Sequence, residues 1–189
     1  VMNNILVPIG ASPYAKDTLQ YALDFASHFG AKVFVMDVIT VTATTGNLMN
    51  LEGKVVESSK ERIKELVKTD ETNHVEVKIA TYKGDIIDGL LDIDKELGID
   101  LIIIAPRSNE IDEELYLGNT SGRIVKQTNI PTLIVPKETA FTPPKQILTA
   151  FGSGILKRSR VLKPLVSIRD KFRAEVSLLL VKRSVYSED

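Results

Sequence analysis

Three short runs in this chain are apolar at nearly every position: Ile5-Leu6-Val7-Pro8-Ile9, Val33-Phe34-Val35-Met36 and Leu101-Ile102-Ile103-Ile104. A strand with one wet face alternates apolar and polar residues. A run without alternation has to be covered on both faces, as in a parallel sheet between two helical layers. The segments between the runs supply the helices. Ser12-Pro13 has the residue types of an N-cap and a first helical position. Ala15, Leu19, Ala22, Leu23 and Ala26 follow at helical spacing, and Gly30 stands where that helix should end. Residues 51–67 read as a second amphipathic helix with Val55, Ile63, Leu66 and Val67 inward. Gly84-Asp85 opens a third, carrying Ile86, Ile87, Leu90, Leu91 and Leu97 on one face and closed by Gly98. Gly118 leads into a short fourth with Ile124 and Val125.

Two further strands complete the alternation. Residues 75–79 alternate cleanly, and residues 131–136 are bracketed by prolines, so both suit sheet edges, while residues 101–104, the most apolar, suit a central place. Strands alternating with helices imply parallel pairing through right-handed crossovers. In such sheets ligands bind beyond the carboxyl ends of the strands, where the strand order reverses.

The chain then repeats itself. Pro143-Pro144 makes a stiff linker, after which Ile147-Leu148-Thr149-Ala150-Phe151-Gly152-Ser153 echoes Ile5-Leu6-Val7-Pro8-Ile9-Gly10-Ala11. The stretch from Ala174 to Val181 echoes that from Ala31 to Val38, with one extra residue between the two matches. The expected organisation is a domain over residues 1–140, a linker over 141–146 and a partial second repeat, strand–helix–strand, over 147–189. Pro164 falls inside the repeat's helix and is expected to kink or restart it.

Composition narrows the function. The chain has no Cys, which removes disulfides, thiol nucleophiles and Cys-ligated metal from consideration and fits a reducing cytoplasm. No apolar run is long enough to span a bilayer, so no membrane partner is expected. Charge is divided: residues 1–144 hold 14 Lys+Arg against 21 Asp+Glu, a net of −7, and residues 145–189 hold 10 against 4, a net of +6. Without interleaved aromatics to stack on bases, the basic segment is expected to meet acidic protein surface, not nucleic acid. His28 and His74 have no Ser or Asp partner at a catalytic spacing, and residues 110–114, four of them acidic, lack the ligand spacing of a calcium loop. There is no phosphate-binding Gly-x-x-x-x-Gly-Lys-Ser/Thr, no Gly-x-Gly-x-x-Gly after the first strand and no Gly-x-Ser-x-Gly elbow. No enzyme activity and no metal site are expected.

The stretch from Ile5 to Val38 resembles the opening strand–helix–strand of the universal stress proteins, and the stretch from Asp100 to Pro136 resembles their last third; Gly84-Asp85 matches the glycine that opens their third helix. The resemblance implies a flavodoxin-like α/β fold: a five-stranded parallel sheet in order 3-2-1-4-5 with helices on both faces, here followed by a partial second repeat. Nucleotide-binding members place an Asp at the end of the first strand and carry Gly, two residues, Gly, nine residues, Gly, then Ser or Thr. Small residues there let backbone N–H groups approach phosphate at a helix N-terminus. Carried over, the Asp position is Gly10, the first two signature glycines are Ala105 and Ser108, the third is kept as Gly118, and Asn119 stands in the Ser/Thr place, followed by Thr120 and Ser121. Val38 takes the place of an adenine contact, and Arg107 is a candidate anion partner. In the repeat the Asp position is Gly152. The resemblance thus implies a stress-response regulator with a degenerate nucleotide-binding motif, acting through protein–protein contacts without a cofactor. The alternative is a switch that binds ATP or AMP weakly. Thr132, Leu133, Ile134 and Val135 are the dimer edge it implies, either in a homodimer or within a tandem chain as a pseudo-dimer.

Overall fold

The computed structural model describes residues 1–10, 14–39, 48–69, 74–106, 118–151 and 159–180. The chain divides into two compact units, Val1–Phe141 and Thr142–Asp189.

The first unit alternates strictly: β1 (Asn4–Pro8), α1 (Ala15–Phe29), β2 (Lys32–Ile39), α2 (Leu48–Thr69), β3 (Val77–Lys83), α3 (Ile86–Leu97), β4 (Leu101–Ile104), α4 (Gly118–Gln127) and β5 (Thr132–Ile134). All pairings are parallel and the order is β3-β2-β1-β4-β5, as expected from the resemblance. Interior and edge strands differ in the way their composition foretold. β1, β2 and β4 are almost wholly buried, while β3 and β5 are only partly so. β1, not β4, is the central strand.

The two sheet faces hold separate halves of the core. Leu6, Phe34, Met36, Ile102 and Ile104 pack with Ile87 and Leu90 of α3 and Ile124 of α4. The alternate residues Ile5, Val7, Val33 and Val35 are fully buried on the face that carries α1 and α2, with Leu19, Leu23 and Ile63. Burying each such side chain is worth about 1.5–3 kcal/mol, so this double layer carries most of the stability.

Helix ends follow local chemistry. Gly30 and Gly98 adopt left-handed conformations (φ 62° and 66°) and close α1 and α3 through N–H bonds to Ala26 and Asp94 carbonyls. Asp85 caps α3, its Oδ1 accepting from the Ile87 N–H at 2.9 Å. α1 begins at Ala15 behind Tyr14, which offers no side-chain cap, and the expected start at Ser12-Pro13 lies outside the described residues. β3 begins two residues later than its alternation indicated and runs on to Lys83, because β2 offers a partner all the way from Val33 to Ile39.

Beyond β5 the chain returns across α1. Phe141 lies edge-on to Tyr21 and Phe25 (ring centres 5.4 and 5.8 Å apart), and Lys137 Nζ sits 4.4 Å from the centre of the Tyr14 ring. Burial here pushes the Tyr21 hydroxyl up in pKa.

The second unit contains β6 (Gln146–Phe151), α5 (Ser159–Phe172) and β7 (Glu175–Leu180), with β6 and β7 paired in parallel. Its pairing matches that of β1 and β2: Ile147 opposes Val176 as Ile5 opposes Val33, and Leu148 opposes Ser177 as Leu6 opposes Phe34. The bond from Glu175 N–H to the Lys145 carbonyl (2.9 Å) repeats that from Lys32 N–H to the Asn3 carbonyl (2.8 Å). α5 is continuous through buried Pro164, so the helix does not restart there. Pro164 is an interior residue of the helix and removes one intrahelical bond, with the helix continuing on either side of it.

Candidate functional site

The order β3-β2-β1-β4-β5 reverses direction between β1 and β4, and the candidate site lies at the carboxyl ends of those strands. A cleft there is lined by Gly10, Met36, Asp37, Val38, Ile86, Ile104, Ala105 and Thr120, together with Pro8, Ile9, Ala15 and Thr18 of β1 and α1. It encloses about 70 Å³, far below the roughly 300–1,000 Å³ of pockets that bury a drug-sized ligand.

Of the residues singled out by sequence, Gly10, Val38, Ala105 and Thr120 meet on this wall. Ser121 is buried one position further along α4 (2 % exposed), and Gly118 and Asn119 form the start of that helix. Arg107 and Ser108 lie outside the described residues, as does the acidic stretch 110–114. The edge residues Thr132, Leu133, Ile134 and Val135 stand apart from the cleft on β5, at the rim of the sheet. Pro131 accepts from the Ile102 N–H and the Val135 N–H donates to Ile104 (2.8 and 2.9 Å). Alternate residues of a parallel strand point their backbone groups to opposite sides, so Thr132 and Ile134 present theirs to the open edge.

The structure adds a cluster that sequence reasoning missed. Asp37, at the end of β2, is buried against α2. Its Oδ2 accepts a hydrogen bond from the Ser59 hydroxyl and another from Arg62 Nη2 at 2.7 Å. Arg62 Nη1 donates to the Gly10 carbonyl at 3.0 Å. One guanidinium thus joins the ends of β1 and β2 to α2. The signal was present in the sequence. Asp37 is the one charged residue among residues 33–39, and a charge in a strand covered on both faces must find a partner. Ser59 and Arg62, three apart beside inward Ile63, lie on the helix face that supplies it.

A second tie crosses the α3–α4 side. Arg123 Nη2 donates to both oxygens of Asp85 (2.9 and 2.8 Å). That guanidinium, followed by the Ile87 N–H, holds the Asp85 carboxyl below the usual carboxylate range. No group of three or more His, Asp or Glu able to hold a metal occurs among the described residues. Among them, too, no helix is long and apolar enough to cross a membrane.

Comparison with known proteins decides the family. Residues 2–136 match the model of the universal stress protein family. The chain belongs to the universal stress protein family. A universal stress protein of Methanocaldococcus jannaschii is 23 % identical over 140 residues, covering 70 % of this chain and 81 % of the relative. Among solved structures, a family protein from Burkholderia pseudomallei superposes with a TM-score of 0.55 at 19 % identity, over 71 % of this chain and 96 % of that one. A universal stress protein solved in complex with cAMP gives a TM-score of 0.50 at 15 % identity, over 71 % of this chain and 97 % of the other. These structural likenesses show the universal stress protein fold, which the strand order reproduces.

In the family frame, the corner where nucleotide-binding members carry an Asp holds Gly10 here, its carbonyl bonded by Arg62 from behind. The carboxylate at this end of the sheet belongs to Asp37, one strand over.

Proposed function

We propose that this universal stress protein is a non-catalytic regulatory protein of the cytoplasm that acts through protein–protein contacts and holds no nucleoside triphosphate. The observation that carries the reading is the corner at Gly10. Residue 10 offers no carboxylate to a ribose, and its carbonyl is bonded to Arg62. Ala105 puts a β-carbon where the family signature has glycine, and the described cleft wall carries no cationic side chain for a phosphate. Losing a charge-assisted hydrogen bond of this kind costs about 1.5–3 kcal/mol, a roughly tenfold to hundredfold loss of affinity.

The contacts are made at the β5 edge, where Thr132 and Ile134 turn their backbone groups outward. The second unit, in register with β1 and β2, is read as a partial second repeat. The pairing is that of a homodimer or of a pseudo-dimer within a tandem chain. The test is amide hydrogen exchange read beside sedimentation. The proposal expects protection at Thr132 and Ile134 in an associated species. A monomer in which those two amides exchange freely would overturn it.

A second reading, a weak ATP or AMP switch, is favoured by the convergence of Gly10, Val38, Ala105 and Thr120 on one cleft and by the shared fold of the relative in complex with cAMP. It expects a nucleotide-dependent rise in melting temperature that Gly118→Glu removes.

A further inference from the structure

Nine large apolar side chains are exposed among the described residues, and five of them, Leu148, Val161, Val166, Leu178 and Leu179, belong to the second unit. Two of the five share one face of the β6–β7 pair. Because the register matches that of β1 and β2, Leu148 and Leu179 take the places of Leu6 and Met36. In the first unit those places lie under helices, packed with Ile87 and Leu90 of α3 and Ile124 of α4. In the second unit Leu148 opposes Ser177 and Leu179 opposes Ala150, and all four are exposed. Ile147 and Val176, which turn the other way, are partly buried. A contiguous apolar face of this kind marks an interaction surface.

We infer that this face of the second unit docks an acidic, amphipathic helix of a partner protein. The inference goes beyond the β5-edge reading and does not rest on it. Shape, composition and charge fix the occupant. β6 and β7 have six residues each, a length of about 20 Å, and two strands about 4.8 Å apart lie within the roughly 10 Å breadth of one helix. α3, on the matching face of the first unit, has 12 residues, a length of about 18 Å. One helix of that size covers the pair. Glu175, at the amino end of β7, is the one charged residue of the two strands, so the face offers leucines to a helix's apolar stripe. Around it the charge is basic: residues 145–189 hold 10 Lys+Arg against 4 Asp+Glu, and Lys145 and Arg173 stand beside the amino ends of the strands. This field draws an acidic partner and opposes a second copy of the same unit, which would bring two basic segments together. α3 itself has the required pattern, with Ile87 and Leu90 inward and Asp88, Asp92 and Glu96 exposed.

The two leucines stand on one diagonal of the face and the small residues Ala150 and Ser177 on the other. An apolar side chain of the incoming helix enters over the small pair while its neighbours rest against Leu148 and Leu179, which gives close packing without rearrangement of the strands.

The test is an NMR titration of the full chain with a synthetic peptide of residues 84–98, which carries five Asp and Glu against one Lys. Saturable shifts are expected at the amides of Leu148, Ser177 and Leu179. Leu148→Ser combined with Leu179→Ser, at positions already exposed and therefore compatible with the fold, should weaken binding about tenfold or more. A peptide with Ile87→Ser and Leu90→Ser should lose binding to the same extent. A peptide with its Asp and Glu replaced by Asn and Gln should bind severalfold more weakly and without salt dependence. Absence of shifts at the three amides, binding that survives the double leucine variant, or equal binding of the neutral peptide would each overturn the inference. So would shifts confined to Thr132 and Ile134, or a dimer formed without peptide in which the three amides are protected, since a second copy would then be the occupant.

Discussion

β1 with β2 and β6 with β7 are the same pairing in two settings. In both, a parallel pair forms in one register, joined by a helix of similar length and closed by the same backbone bond at the start of the second strand. Their side chains fare differently. Leu6, Val35 and Met36 are wholly buried, while their counterparts Leu148, Leu178 and Leu179 are 70 %, 71 % and 47 % exposed. Register is set by local pattern and crossover length, which both regions possess. Burial is set by what stands on either side: β4, β3, α3 and α4 in the first unit. A strand–helix–strand unit therefore has an established geometry before it has a core, and its stability comes from its neighbours.

The sharpest way to break this comparison is to truncate matched leucines. Leu6→Ala should cost about 2–5 kcal/mol in urea unfolding, since it opens a cavity in a packed layer. Leu148→Ala should change stability by no more than about 0.5 kcal/mol, as at other exposed sites. Equal losses would show that β6 is covered in solution.

A second contrast lies toward the carboxyl end of each pairing's second strand. Asp37 in β2 corresponds to Leu180 in β7, so only the first unit has a charge to satisfy. Arg62→Ala leaves Asp37 buried without its cation. The loss should fall at the lower end of about 3–5 kcal/mol because Arg62 is itself more than a third exposed. Arg62→Ala with Asp37→Leu, which copies the second unit, should recover most of it. Failure to recover would mean that the Gly10 bond, not the ion pair, carries the stability.

The third is smaller. A β-carbon on Gly89 in α3 would come within 2.6 Å of Met36 Cε and 2.8 Å of Tyr82 Cγ. Gly89→Ala gains about 1 kcal/mol of helix propensity and meets an overpacking cost of about 1–3 kcal/mol. The expected melting temperature is lower, opposite to the usual effect of this substitution in a helix. A rise would show that Tyr82 moves aside freely.

The smallest effect is a pH dependence at the Asp85–Arg123 tie. The folded pKa of Asp85 is depressed, by Arg123 first and by the Ile87 N–H second. Its contribution is therefore present above the unfolded value of about 3.9 and is lost as pH falls through the folded value. Arg123→Gln should lower stability slightly at neutral pH and leave it unchanged in strong acid, as followed by urea midpoints across that range. A deficit that persists in strong acid would assign the effect to packing.

The sequence made the scaffold legible because its signals are local. Runs such as Ile102-Ile103-Ile104 declare burial on both faces, and Gly30 and Gly98 mark helix ends that adopt the expected left-handed conformation. The strand–helix–strand order of β6, α5 and β7 was legible for the same reason. The site was legible only in outline. Gly10, Val38, Ala105 and Thr120 meet as the family frame implied, while the Asp37–Ser59–Arg62 cluster joins residues 22 and 25 positions apart and depends on which face of α2 meets β2. A lone charge in an apolar strand predicts that a partner exists without naming it. Pro164 does not restart α5, because the loss of one N–H bond leaves the rest of the helix ladder in place.

The central claim is that the corner at Gly10 does not serve a nucleoside triphosphate. Calorimetric titration of the full chain with Mg²⁺ and ATP tests it most directly. The account predicts no measurable heat at millimolar ligand. Saturable, Mg²⁺-dependent binding in the micromolar range would contradict it and would place the phosphates at the start of α4.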